Sequence, residues 1–100
     1  MTKFNLIAAK NDNCRQTFTN CKVVMTIGVA HSPHRDEILT AVRNFTSFTK
    51  ANDPHGEHDF GSVTVHGITY FFKFDYYDKN YQFFEEDGHR VLTIMRADEY

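Results

Sequence analysis

The sequence predicts an α+β fold: a two-layer sandwich of two helices against a mainly antiparallel four-stranded sheet, in the order α-β-α-β-β-β, as one domain over residues 1–100. Three observations predict it. Two stretches carry apolar residues three and four apart, the spacing of one helical face. The run "SVTVHGITYFFKF" alternates around a His-Gly pair, as a β-hairpin does. Short connections require at least two antiparallel pairings, and amphipathic helices must cover one face of the sheet.

The first helix is expected over residues 3–18, where Phe4, Ile7, Asn11, Cys14 and Phe18 form a stripe broken only by Asn11. Thr2 can cap it. Residues 22–27, short and rich in β-branched side chains, read as a strand that Gly28 ends. In the second helix Ser32 is the expected N-cap and Pro33 the first helical residue, where a missing N–H costs nothing. Asp36 and Glu37 suit the positive end of its dipole. Ile38, Val42, Phe45 and Phe48 form its apolar stripe, flanked by Leu39 and Ala41, and Asn52-Asp53-Pro54 stops it. His66-Gly67 supplies the hairpin turn. Beyond it Ile68, Tyr70, Phe72 and Phe74 face one side, while Thr69, Phe71, Lys73 and Asp75 face the other. A loop over residues 78–89 leads to a last strand over 90–96.

Apolar residues at 41% and charged residues at 24% are an ordinary globular composition. No apolar run nears the roughly 20 residues that span a bilayer, and no signal-peptide pattern opens the chain. Cys14 and Cys21 make neither a zinc-type nor a redox CxxC pair, so two reduced, half-buried thiols in a cytoplasmic protein are expected. The net charge of −2 conceals a division: residues 1–52 carry +4 and residues 53–100 carry −6. Eleven of the fifteen aromatics also lie in the second part, which makes an acidic, aromatic C-terminal half the strongest compositional clue.

Two segments could carry function. In "NDPHGEHDFG", residues 52–61, the side chains of His55, Glu57, His58 and Asp59 offer nitrogen and oxygen donors. They lack the helical register of a zincin pair. A turn built by Asn, Asp, Pro and by Gly56 and Gly61, and presenting a polar contact surface, explains them better. In "DYYDKNYQFFEEDGH", residues 75–89, aromatics interleave with acids. Tyr76 or Tyr77 is expected under the sheet end. Tyr81, Phe83 and Phe84 are candidate protein-binding anchors, with Asp78, Glu85, Glu86 and Asp87 as charges that steer a basic partner. The acidic sign argues against direct nucleic-acid binding. His31, His34, His66 and His89 fall on scattered turns and a helix start, with no role to assign.

Three blocks, "FTKANDPHGEHDFGSV", "FFKFDYYD" and "RVLTIMRADEY", resemble a bacterial family, the domain of unknown function 3768 family. Asn52, Asp53, Pro54, Gly56, Glu57, His58, Asp59, Phe60 and Gly61 match its first motif, and Lys73, Asp75, Tyr76, Tyr77 and Asp78 its second. The resemblance extends more loosely through "AAKNDNCRQTF" and "VVMTIGV". This chain departs from the family in "KNYQFFEEDGH", a shorter and more aromatic loop. The family label implies no activity. Its members look like short proteins of plasmids and prophage-like regions, which implies an accessory protein of mobile DNA. The expectation is a cytoplasmic binding protein without cofactor or metal that inhibits a host defence complex, as an anti-CRISPR does. A metal-binding or hydrolytic enzyme centred on residues 52–61 is the alternative, and a small regulatory factor the third reading.

Overall fold

A computed structural model describes residues 3–85 and 88–100, with side chains from Leu6 onward. The Thr2 cap, the side chain of Phe4, and the acids Glu86 and Asp87 lie outside the described residues. The chain runs α1 (Lys3–Thr17), β1 (Lys22–Met25), α2 (Ile27–Ala30), α3 (Arg35–Arg43), β2 (Phe60–Val65), β3 (Ile68–Tyr77) and β4 (His89–Arg96), then a 3₁₀ turn at Ala97–Glu99. Among the described residues the strands form one sheet in the order β1-β4-β3-β2. β2, β3 and β4 are an antiparallel meander, and β1 joins the far edge parallel to β4. The α+β class therefore holds, with a mixed sheet. The long excursion from β1 through two helices and a hairpin is what permits the parallel pair.

The hairpin follows the sequence closely. Val65 pairs with Ile68 across His66 and Gly67, which both take positive φ (50° and 77°), as a tight two-residue turn requires. Tyr70, Phe72 and Phe74 on β3 and Leu92 and Ile94 on β4 are buried against Cys14, Val29, Ile38 and Val42 from the helices. The opposite sheet face carries its own aromatic cluster. There Phe71 packs against Phe60 (5.2 Å) and Tyr100 (5.8 Å).

Three local expectations are corrected. The strand β1 stops at Met25, and Gly28 lies inside α2 rather than ending a strand. The carboxylate of Glu99 accepts the Thr26 hydroxyl at 2.7 Å and the Gly28 N–H at 2.8 Å, fixing the start of that short helix. α3 begins at Arg35 behind His34, so Ser32 and Pro33 precede it; the Ser32 hydroxyl accepts the His34 N–H within the approach turn. α3 also ends early, at Arg43. The guanidinium of Arg15 donates to the carbonyls of Val42 (2.9 Å) and Arg43 (3.1 Å) at the helix end, where Val42 also accepts the Phe45 N–H at 3.3 Å. Phe45 and Phe48 follow the helix as irregular chain and still pack on Phe72.

The cysteines are the fourth correction. Cys14 and Cys21 form a disulfide rather than two free thiols, with Cα atoms 5.9 Å apart. Phe18 and Asn20 take positive φ (55° and 61°), and this reverses the chain tightly enough after α1 to bring the two side chains together. Such bonds persist in oxidising surroundings, so the argument from reduced thiols to the cytoplasm no longer holds. Among the described residues no helix is long and apolar enough to cross a membrane.

Candidate functional site

The segment 52–61 is built around Asp53, which is buried. Its carboxylate accepts the backbone N–H of Glu57 at 3.0 Å and of His58 at 3.2 Å, while Gly56 supplies a positive φ of 66° between them. Asn52 ties the approach: its side-chain oxygen accepts the Thr49 N–H (2.8 Å) and its amide donates to the Ser47 carbonyl (3.0 Å). Gly61 does something other than turn the chain. It lies in β2, and a Cβ there would stand 2.3 Å from the Phe72 ring, so its need is clearance rather than φ.

His58 is half-buried with φ 55°. Its ring stacks flat on Phe48, 4.0 Å between centroids and 2° between planes. Nδ1 lies 2.9 Å from the Asp12 carboxylate, and Nε2 lies 3.8 Å from Asp53. Asp12 in turn receives Arg15 at 3.1 Å. Arg15 is almost completely buried between the rings of Phe48 and Phe72, at 5.5 and 5.6 Å. With both nitrogens facing carboxylates and one face against a phenyl ring, His58 clamps the turn onto α1. His55 is exposed, whereas Glu57 and Asp59 are half-buried. Burial pushes the Asp59 carboxyl above its usual range, and nearby Asp53 and Asp75 add to the shift. Among the described residues, these four side chains are not gathered into a cluster of metal-ligand size.

Asn11 and Tyr76 join this turn to the second segment. The fully buried amide of Asn11 donates to the Glu57 carbonyl (3.0 Å) and the Tyr76 hydroxyl (2.9 Å), and its oxygen accepts Arg90 Nε–H at 2.7 Å. Burial raises the Tyr76 hydroxyl to about 12, against the smaller opposing effect of the Asn11 hydrogen bond. On the other side the Tyr76 carbonyl accepts the Glu85 N–H at 3.2 Å. Residue 76, the expected tyrosine under the sheet end, thus holds residues 57 and 85 in one region.

After β3, residues 78–85 extend the sheet. Tyr77 bridges to Phe84, and the Asp78 N–H donates to the Phe83 carbonyl at 2.8 Å. Asp78 organises the tip, its carboxylate accepting the N–H groups of Asn80 (3.0 Å) and Gln82 (3.1 Å). Phe83 and Phe84 stand 69% and 74% exposed. Tyr81 instead turns back, with its ring 5.5 Å from His89 and 5.3 Å from Lys22 Nζ, forming one wall of a groove of about 840 Å³. Glu85, exposed, and Arg90, largely buried, also line that groove. The predicted anchors therefore divide into one tyrosine on the groove wall, still 42% exposed, and two more fully presented phenylalanines. The acids divide into the loop-building Asp78 and the rim residue Glu85.

Sequence reasoning missed Asp12, Arg15 and Arg90 as members of this region. The one available signal was Asn11, a polar residue on an apolar stripe, with Arg15 four residues on along the same face.

The family described as "Protein of unknown function (DUF3768)" matches residues 21–99, and the chain belongs to it. The match begins after α1, so Asn11, Asp12 and Arg15 stand outside it. No curated protein and no solved structure matches the chain.

Proposed function

For this member of the DUF3768 family we propose a protein-binding role, in which the loop over residues 78–85 docks on a partner with a basic surface. The exposure of Phe83 and Phe84 on a loop pinned by backbone hydrogen bonds carries this reading. Large aromatics presented to water gain from burial in a partner's pocket, and a loop already ordered loses little freedom on docking. Glu85 at the rim, with Glu86 and Asp87 next in sequence, supplies the negative charge that draws a basic surface. The partner we propose is a component of a host defence complex, which the protein inhibits by occupying a contact surface. Support for that partner comes from the family resemblance and the acidic sign of the C-terminal half.

The test is a plasmid-protection assay. Cells carrying an active CRISPR system are transformed with a targeted plasmid, with and without the protein. Protection is expected, and the double variant Phe83→Ala/Phe84→Ala should lose it while keeping the wild-type melting curve. Equal protection by that variant would remove the loop from the mechanism. No protection against any defence system tried, alongside measured binding to a different basic protein, would retain the docking surface and discard the anti-defence role.

A further inference from the structure

The end of the sheet away from the aromatic loop holds a second cluster, built from residues that the sequence leaves scattered. His34 precedes α3, Glu37 sits in its first turn, and His66 occupies the β2–β3 turn. Their donor atoms all lie within 4.8 Å of one another. The two imidazoles stack with centroids 3.8 Å apart and planes 22° apart. Glu37 serves both, 2.8 Å from His66 Nε2 and 3.7 Å from His34 Nδ1.

We propose that His34, Glu37 and His66 bind a divalent transition-metal ion, with Zn²⁺ the best-fitting class, and so tie α3 to the hairpin. Two nitrogen donors and a carboxylate are a ligand set that such ions accept; Mg²⁺ and Ca²⁺ prefer oxygen alone. Three protein ligands leave a position for water, and the side chains have the access to supply it: His34, His66 and Glu37 are 37%, 50% and 61% exposed. Donors around one tetrahedral ion stand about 3.3 Å apart, so small rotations about the side-chain bonds, with the ion replacing the His66–Glu37 hydrogen bond, complete the site.

The backbone favours it as well. His34 and Glu37 are three apart at a helix start and project on one side. His66 is held at φ 50° by the tight turn, so its direction is set before any ion arrives. The positive end of α3's dipole opposes a cation, and the carboxylates of Asp36 and Glu37 in that first turn offset it. β3 separates this site from the aromatic loop by its full ten residues, roughly 30 Å of strand. Metal binding and partner docking are therefore separable.

The experiment titrates ZnCl₂ into untagged, metal-free protein by calorimetry and repeats the melt with and without zinc. One ion per chain is expected, with a higher melting temperature when it is bound. His66→Asn should weaken zinc binding at least tenfold; asparagine accepts positive φ, so the turn survives. His34→Gln should do the same independently, since the His34 side chain makes no capping bond to α3. Co²⁺ in place of Zn²⁺ should give the visible absorption of a four- or five-coordinate ion in the wild type and lose it in both variants. Absence of stoichiometric binding overturns the proposal, and so does wild-type affinity in the two variants.

Discussion

Asn11 on α1 accepts the Nε–H of Arg90 on β4 at 2.7 Å, across 79 residues of sequence. The same amide holds Glu57 and Tyr76, so one buried side chain joins the first helix, the 52–61 turn and two strands. Both N–H donors of the amide are used, and its oxygen is engaged by a charged donor. A satisfied polar group of this kind specifies one arrangement of its neighbours, whereas a half-satisfied one is costly.

Replacing Asn11 should therefore expose its partners. Asn11→Leu preserves approximate size but leaves the Tyr76 hydroxyl, the Glu57 carbonyl and the Arg90 guanidinium with a lost partner each. A loss of about 2–3 kcal/mol in urea unfolding is expected. A variant as stable as the wild type would show that water replaces the amide at no cost.

Gly61 and Phe72 give a steric prediction. Gly61→Ala should cost about 1–3 kcal/mol, and Gly61→Val more, because the new Cβ meets the Phe72 ring. Phe72→Leu combined with Gly61→Ala should lose less than the sum of the two single changes, measured as a double-mutant cycle. Strict additivity would place the strain elsewhere.

The Cys14–Cys21 bond closes a short loop, and chain-entropy arguments assign such a loop about 2–3 kcal/mol. Reductant should lower the urea midpoint of the wild type and leave Cys14→Ala/Cys21→Ala unmoved. Thiol counting on the unreduced, denatured protein should find none free. Two titratable thiols in protein prepared under air would contradict the pairing.

Two carboxylates should give opposite pH responses. Hydrogen bonds from the Thr26 hydroxyl and the Gly28 N–H hold Glu99 below its usual range. Its contribution is fully present above the unfolded value near 4.5 and is lost as pH falls through the lower folded value. Glu99→Gln should thus be less stable than wild type at pH 7, with the gap closing in acid. Asp59 is shifted the other way by burial, so its ionised form opposes folding above the raised folded value. Asp59→Asn should be the more stable protein at pH 7, and that advantage should vanish below the unfolded value near 3.8. Melting temperatures of both variants from pH 3 to 7 would check the signs; parallel curves would refute both.

The aromatic loop should separate stability from binding. Phe83→Ala and Phe84→Ala should each change folding stability by less than about 0.5 kcal/mol, as exposed side chains do. Either should cost roughly 2 kcal/mol or more in partner binding where it fills a pocket. Reversing the charges of Glu85, Glu86 and Asp87 together should slow association and flatten its dependence on salt. Asp78→Ala should instead disorder the tip, since its carboxylate holds Asn80 and Gln82. Large destabilisation by both phenylalanine variants would make the loop a cover for the core.

The sequence by itself determined the α+β class, the hairpin at His66-Gly67 and the faces of β3. These follow from local rules: a period of two along a strand, and a two-residue turn that demands positive φ. It also marked residues 52–61 and 75–89 as segments of special composition. Only the tertiary structure decided which side chains meet. Arg15 reaches the last carbonyls of α3, and no property of residues 43–52 announces that contact. The parallel place of β1, the disulfide, the Asn11 hub and the convergence of His34 with His66 are likewise meetings of residues separated along the chain. Sequence periodicity reports which way a side chain faces, and packing alone determines what it faces.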